Sequence, residues 1–208
     1  EPIANEGDIY ALIACCEAGA DRLIQMMDEF QITDLSTLSE YIIETSKQGT
    51  LSAIQDLSKG TWKSVLRVDG YDAEIELHAA LTISEDGVLL DFAGTAGCTN
   101  KGINVPLNYA TAYSVFALRC IIGSDIPNNA GSLEPFRVIA PKGCILNAQP
   151  PAPVAMRHTL GQMTPDLVYG CLSQALPDMV PAEGASCMYD LPMRHTADAV
   201  DRVGRAHV

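Results

Sequence analysis

The sequence predicts an α+β fold: an N-terminal helical hairpin, an antiparallel β-meander, then apolar helices joined by an extended Pro/Gly-rich segment. Three observations carry the prediction. Apolar residues fall at three-and-four spacing through the first 58 positions, the period of amphipathic helices. The period then drops to two between Trp62 and Phe92, with Asp-Gly pairs separating the runs, as in strands joined by tight turns. Finally, residues 124–156 hold six prolines but remain too apolar for a disordered linker.

In order, a first helix over 8–30 places Ile9, Leu12, Ile13, Cys16, Leu23, Ile24 and Met27 on one side, with Asn5 or Asp8 as its cap. Thr33 or Asp34 caps a second, with Leu35, Leu38, Tyr41 and Ile42 on one face; it runs to about Ser58, with a break near Gly49. A short link between two such helices predicts a hairpin. Ile75, Leu77, Ala79, Leu81 and Ile83 alternate as a half-buried strand. Turns at Asp69–Gly70 and Asp86–Gly87 use residues that tolerate positive φ. Pro106 opens an apolar helix that stops near Gly123. Within the Pro-rich segment only "FRVIA" and "CILNA" are strand candidates. A last helix covers His158 to Leu176, with Pro165 bending it or resetting its start. This gives a helical hairpin at 1–58, a meander at 59–93, a helix–segment–helix region packed on the sheet at 94–186, and a loose tail at 187–208.

Composition narrows the function. The chain carries 26 acidic against 13 basic side chains, a formal charge of −13, without a Lys/Arg run. That balance opposes a nucleic-acid partner. No apolar run reaches the 18 or more residues of a membrane span, and the N-terminus has no basic-then-apolar leader order. The seven cysteines are odd in number and lack zinc-knuckle spacing, which predicts reduced thiols and a cytoplasmic protein.

One stretch invites a chemical reading: "DFAGTAGCTNKGINVP", residues 91–106. A Walker loop needs Gly-Lys followed by Ser or Thr, but here Lys101 precedes Gly102; Gly94 and Gly97 match only part of a dinucleotide fingerprint. The preceding sheet reads as antiparallel rather than as a βαβ unit, so packing and turn geometry outweigh a phosphate cradle. His78, His158, His195 and His207 are scattered, so no metal site is predicted within these residues. Cys98 has no nearby His to activate it. In "PPAPVAMRHTLGQ", Arg157 and His158 follow a stiff proline run, and a rigidly placed guanidinium suits a carboxylate or carbonyl oxygen.

The words "DFAGT", "GINVPL", "ALRC", "DIPNNAGSLEPFRVIAPKGCILNAQPPAPV" and "LPDMVPAEG" resemble those of the hydantoinase B/oxoprolinase family. That family includes the B-type subunits of N-methylhydantoinases, the C-terminal half of 5-oxoprolinase, and the related alpha-type subunits of acetone and acetophenone carboxylases. The helix "GDIYALIACCEAGADRLIQMMDEF" fits as well. The resemblance implies an internal piece of a longer subunit of an ATP-dependent cyclic amide hydrolase, a member of a hetero-oligomer. It implies ATP on an A-type partner subunit and a divalent metal held outside these residues. The same resemblance admits a ketone carboxylase, or a non-catalytic scaffold that holds the partner. Asp91, Thr95, Asn104, Asn129, Arg157 and His158 are the expected substrate-binding or site-lining residues, with no catalytic residue identified.

Overall fold

The computed structural model describes the backbone of residues 2–182, 190–197 and 200–207, and side chains over residues 5–182. The chain divides into two compact units, Glu1–Glu44 and Thr45–Val208.

In the first unit α1 spans Pro2–Glu29. It starts upstream of the sequence reading, so Asn5 and Asp8 lie within the helix instead of capping it. The next helix, α2, spans Ser36–Gln55. Asp34 Oδ1 accepts from the Ser36 backbone N–H at 3.0 Å and from its hydroxyl at 2.8 Å, the local bond that lets an acidic residue start a helix. The apolar stripe of α1 stays exposed: Ile9 is 58%, Leu12 67% and Ile24 57% accessible.

The second unit begins inside α2, which passes Gly49 unbroken and buries Ser46, Thr50 and Ile54. Its sheet has the order β1 (Gly60–Val68), β2 (Ile75–Ser84), β3 (Gly87–Asp91), β4 (Phe136–Ile139). β1 and β2, and then β2 and β3, pair antiparallel, with Leu66 opposite Leu77 and Leu81 opposite Leu90. β4 lies parallel to β3, Leu90 opposite Val138. The sheet is therefore mixed, and β3, the intervening helix α3 (Leu107–Ile121) and β4 form a parallel crossover. β1–β3 are the three antiparallel strands expected, and the correction is to the reading of this sheet as antiparallel rather than βαβ, since β4 joins its edge in parallel. Alternation locates strands but does not say which edge a distant strand joins.

The turns also differ from expectation in detail. At Asp86–Gly87 only the glycine has positive φ, +146°. Neither Asp69 nor Gly70 does; Gly70 is suited there because a Cβ would sit 2.0 Å from the Ala73 carbonyl oxygen.

Short helices α4 (Ala130–Leu133) and α5 (His158–Gly161) precede α6 (Thr164–Ala175), whose first turn holds Pro165. Proline thus resets the last helix instead of bending it, because its missing N–H is harmless in a first turn. "CILNA" is not a strand: Gly97 forms an isolated bridge with Cys144, and the Ile145 and Ala148 amides donate to Ala96 and Val105. Beyond residue 182, β5 (Asp190–Ala197) and β6 (Val200–His207) pair as an antiparallel hairpin. The expected loose tail falls partly on residues outside those described.

Helices α3 and α6 pack on the sheet and on each other. Leu77, Leu81, Leu90, Phe92, Leu118, Leu167 and Leu172 are almost fully buried between them. Burial of such side chains stabilises by about 1.5–3 kcal/mol each. Among the described residues no helix is long and apolar enough to cross a membrane.

Candidate functional site

The loop after β3 is held by its own side chains. Asp91 Oδ1 accepts from the Ala93 amide at 2.9 Å, closing an Asx turn. Thr95 Oγ1 accepts from the His78 amide at 2.9 Å and donates to the His78 carbonyl at 3.1 Å, replacing one rung of strand pairing beside β2. Gly94 faces the His78 ring, whose Cγ would lie 3.4 Å from a Cβ at this position. His78 lies on the less buried face of β2 and is half-buried against the loop. Its Nε2 lies 3.3 Å from Glu76 Oε2. The Arg67 side chain, then that of His78, hold the exposed Glu76 carboxyl below its usual range.

Asn104 joins the loop to the Pro-rich segment. It is fully buried. Its Oδ1 accepts from the Thr99 amide at 2.8 Å, and its Nδ2 donates to the carbonyls of Thr99, Lys101 and Pro153, each at 2.9 Å. The Met156 amide adds a bond to the Gly102 carbonyl at 2.8 Å. The loop amides of Thr95, Ala96, Cys98, Thr99, Lys101 and Val105 are all taken by internal acceptors. Backbone donors so engaged cannot cradle a phosphate, although the strand–loop–helix order resembles one that does.

The segment so anchored carries Arg157 to the start of α3. The guanidinium lies 5.8 Å from the Tyr109 ring centroid, within cation–π range, and Nη1 donates to the Val154 carbonyl at 3.3 Å. Tyr109 stacks on Tyr113 at 4.8 Å with an interplanar angle of 11°, and its ring leaves no room for a Cβ on Gly161. Arg157 is exposed and His158 half-buried at the first residue of α5. The arrangement is a guanidinium seated on a fixed aromatic ring, with donors left facing outward.

Burial first, then Tyr113, push the Tyr109 hydroxyl from its usual 10.0 up to about 12, while Arg157 pulls the other way. Tyr169 also rises to about 12, chiefly through burial. Because the neutral form is favoured in the fold, this contribution to stability is complete below pH 10.0 and is lost as pH rises through about 12. In a tyrosinate absorbance titration two rings should ionise late, and Tyr109→Phe should remove one of them. Complete ionisation by about pH 11 in the folded protein would contradict this seat for Tyr109.

A cavity of ≈ 210 Å³ opens between Tyr71–Ile75 and the loop, lined by Ala96, Gly97, Thr99 and Lys101. Lys101 Nζ sits 5.8 Å over the Tyr71 ring, with Asp72 and Glu74 on the same wall. Asn129 lies elsewhere: it caps α4 through bonds from the Gly131 and Ser132 amides and donates to Ser46 Oγ at 2.7 Å. Arg119, buried near the end of α3, donates to the carbonyls of Ile122, Gly123 and Ile126 and to Asn128. It thereby ties the end of α3 to the turn that follows it.

Asn104, Arg157 and His158 are thus tied to one region, Asp91 and Thr95 brace the adjoining loop, and Asn129 organises a different corner. Tyr71, Tyr109 and Tyr113 are not among the residues the sequence singles out; the four-residue spacing of Tyr109 and Tyr113 on a helix is the one readable sign. The Cys98 thiol is raised by burial and donates to the Cys144 carbonyl at 3.4 Å, the reverse of an activated nucleophile. Among the described residues no three His, Cys, Asp or Glu side chains converge to hold a metal, so these residues do not by themselves fit the divalent ion the resemblance implies.

The chain is 30% identical over 191 residues to a protein of Pseudomonas sp. (strain NS671) provisionally named as the B-type subunit of a D-/L-hydantoinase, covering 85% of this chain and 32% of that protein. The ATP-dependent caprolactamase of Pseudomonas jessenii shares the fold, with a TM-score of 0.81 and 20% identity over 96% of this chain and 35% of that one. Nucleotide-free acetone carboxylase superposes with a TM-score of 0.59 and 15% identity, covering 68% of this chain and 22% of that chain. The chain thus spans about a third of the length of the first two. A profile of hydantoinase B/oxoprolinase matches residues 1–205, and the chain belongs to that family.

Proposed function

We propose that this chain is part of the B-type subunit of an ATP-dependent cyclic amide hydrolase that opens a hydantoin or 5-oxoproline ring. The observation that carries the reading is the 30% identity to a hydantoinase B-type protein across 85% of the chain. The acetone carboxylase likeness, at 15% identity, bears on fold alone. In this reading ATP is bound by an A-type partner subunit and supplies phosphoryl activation of the amide oxygen, making the ring carbon electrophilic enough for water. A divalent metal belongs to the larger protein, outside these residues. The residues of this chain bind and orient. Arg157, steadied by Tyr109 and the Val154 carbonyl, holds a carbonyl or carboxylate oxygen of the substrate. His158 donates or accepts beside it. Asp91, Thr95 and Asn104 keep the surrounding loops in shape through the bonds described above, while Asn129 supports a separate corner by capping α4.

The test is ATP hydrolysis by the full-length protein reconstituted with its A-type partner. Ring opening of a cyclic amide without bicarbonate supports the reading; turnover only with a ketone and bicarbonate makes the assembly a carboxylase. In the hydrolase, Arg157→Ala should raise KM about 10–100-fold with kcat little changed, as expected for loss of a binding contact shared by ground and transition states. Unchanged KM and kcat would remove Arg157 from the site.

A further inference from the structure

We infer that Gly161, and the Tyr109 ring it admits, are positioning residues that aim Arg157 at the substrate; the inference rests on the binding role proposed above for Arg157. A long charged side chain loses rotational freedom when it grips an oxygen, so a guanidinium held in place beforehand binds more tightly. A carboxylate often does the holding. Among the described residues no carboxylate comes within ion-pair distance of Arg157. Its guanidinium bonds instead to the Val154 carbonyl, three residues back along the chain. One contact to neighbouring backbone leaves the side chain free to swing, and what limits it is the Tyr109 ring, 5.8 Å from centroid to Cζ.

That ring is set in turn by Gly161. A Cβ there would overlap Tyr109 Cε1 and lie 2.5 Å from Cδ1, so the ring edge fills the space a side chain would take. Gly161 is buried and cannot recede. Its amide donates to the Arg157 carbonyl at 2.9 Å. Its carbonyl accepts from the hydroxyl of the fully buried Thr164 at 2.8 Å. The Tyr109 backbone is fixed where α3 begins, its amide donating to the Pro106 carbonyl at 3.0 Å, and Tyr113 stacks on its ring. A side chain at 161 therefore displaces the ring, and the guanidinium loses its seat. The φ of Gly161 is not positive, so alanine there tests space alone.

The experiment measures KM and kcat for 5-oxoproline and hydantoin with the full-length protein and its A-type partner. Gly161→Ala and Tyr109→Leu should each raise KM about 5–10-fold with kcat little changed. Tyr109→Phe, which restores a ring, should bring KM back to within about 2-fold of the parent. In an Arg157→Ala background neither Gly161→Ala nor Tyr109→Leu should raise KM further. A purely structural role would raise KM by the same factor in both backgrounds, and that result would overturn the inference. So would a parent-like KM in Tyr109→Leu where Arg157→Ala raises it. A KM unchanged by Arg157→Ala, or no ring opening at all, would instead remove the binding role, and the inference with it. A second readout does not depend on turnover. Phenylglyoxal labels accessible guanidinium groups, and peptide mapping of the full-length protein should find Arg157 labelled about 5-fold faster in Tyr109→Leu and Gly161→Ala than in the parent or Tyr109→Phe. Equal labelling in all of them would show that the ring does not hold the guanidinium.

Discussion

Gly87→Ala should lower the stability of the second unit by about 3 kcal/mol, from two separate causes acting at one Cα. The first is conformational: φ is +146°, where an L side chain is strained by about 1–3 kcal/mol. The second is steric. A Cβ at Gly87 would lie 2.4 Å from the Pro135 carbonyl oxygen, the same oxygen that accepts from the Val88 amide at 2.9 Å. Relieving the clash moves Pro135 away and stretches the first contact between β3 and β4. Gly143 separates the two causes, since it has φ of +83° but open space where its Cβ would go. Gly143→Ala should therefore lose only about 1 kcal/mol. Urea unfolding of both variants with unchanged m-values measures the difference. Equal losses would show that the approach of Pro135 contributes nothing and that the β3–β4 junction is looser than its geometry.

That junction also marks the limit of what the sequence reveals. The alternation of Ile75, Leu77, Ala79, Leu81 and Ile83 is legible because one face of β2 is buried, and burial imposes a period. The apolar character of α3 is legible for the same reason. The parallel docking of β4 is not, because a four-residue strand carries too little pattern to name its neighbour. The site divides along the same line. Asn104 and Arg157 stand out as polar groups in Gly- and Pro-shaped, apolar surroundings. Their partners do not, since Pro153 lies 49 positions from Asn104 and Tyr109 reads as one more residue of an apolar helix. The stripe of α1 illustrates the converse. Its period predicts a packed face, but periodicity cannot tell a partner within the chain from one outside it.

Asn104→Ala should be the most damaging single change near the site, at about 3–4 kcal/mol. The side chain is 0% exposed, and removing it leaves the Thr99 amide and the carbonyls of Thr99, Lys101 and Pro153 without the partners they now share. Unsatisfied buried groups carry their whole desolvation penalty, which exceeds the net worth of the bonds themselves. Asn104→Asp isolates the donor role, because it keeps the shape and the acceptor facing Thr99 but turns an oxygen toward three carbonyl oxygens. Its carboxyl is favoured in the protonated state within the fold, so its folded pKa lies above the unfolded value of about 3.9. Stability is then retained below that value and lost as pH rises through the folded pKa. Chemical denaturation should accordingly find Asn104→Asp closer to the parent protein at about pH 4 than at about pH 7, while Asn104→Ala shows no such recovery. If the loop and the Pro-rich segment are held together chiefly by Asn104, both variants should also expose residues 149–157 to proteolysis before the sheet unfolds. Parent-like protection of that segment in Asn104→Ala would mean that the Gly102–Met156 bond suffices, and that Arg157 keeps its seat without the asparagine.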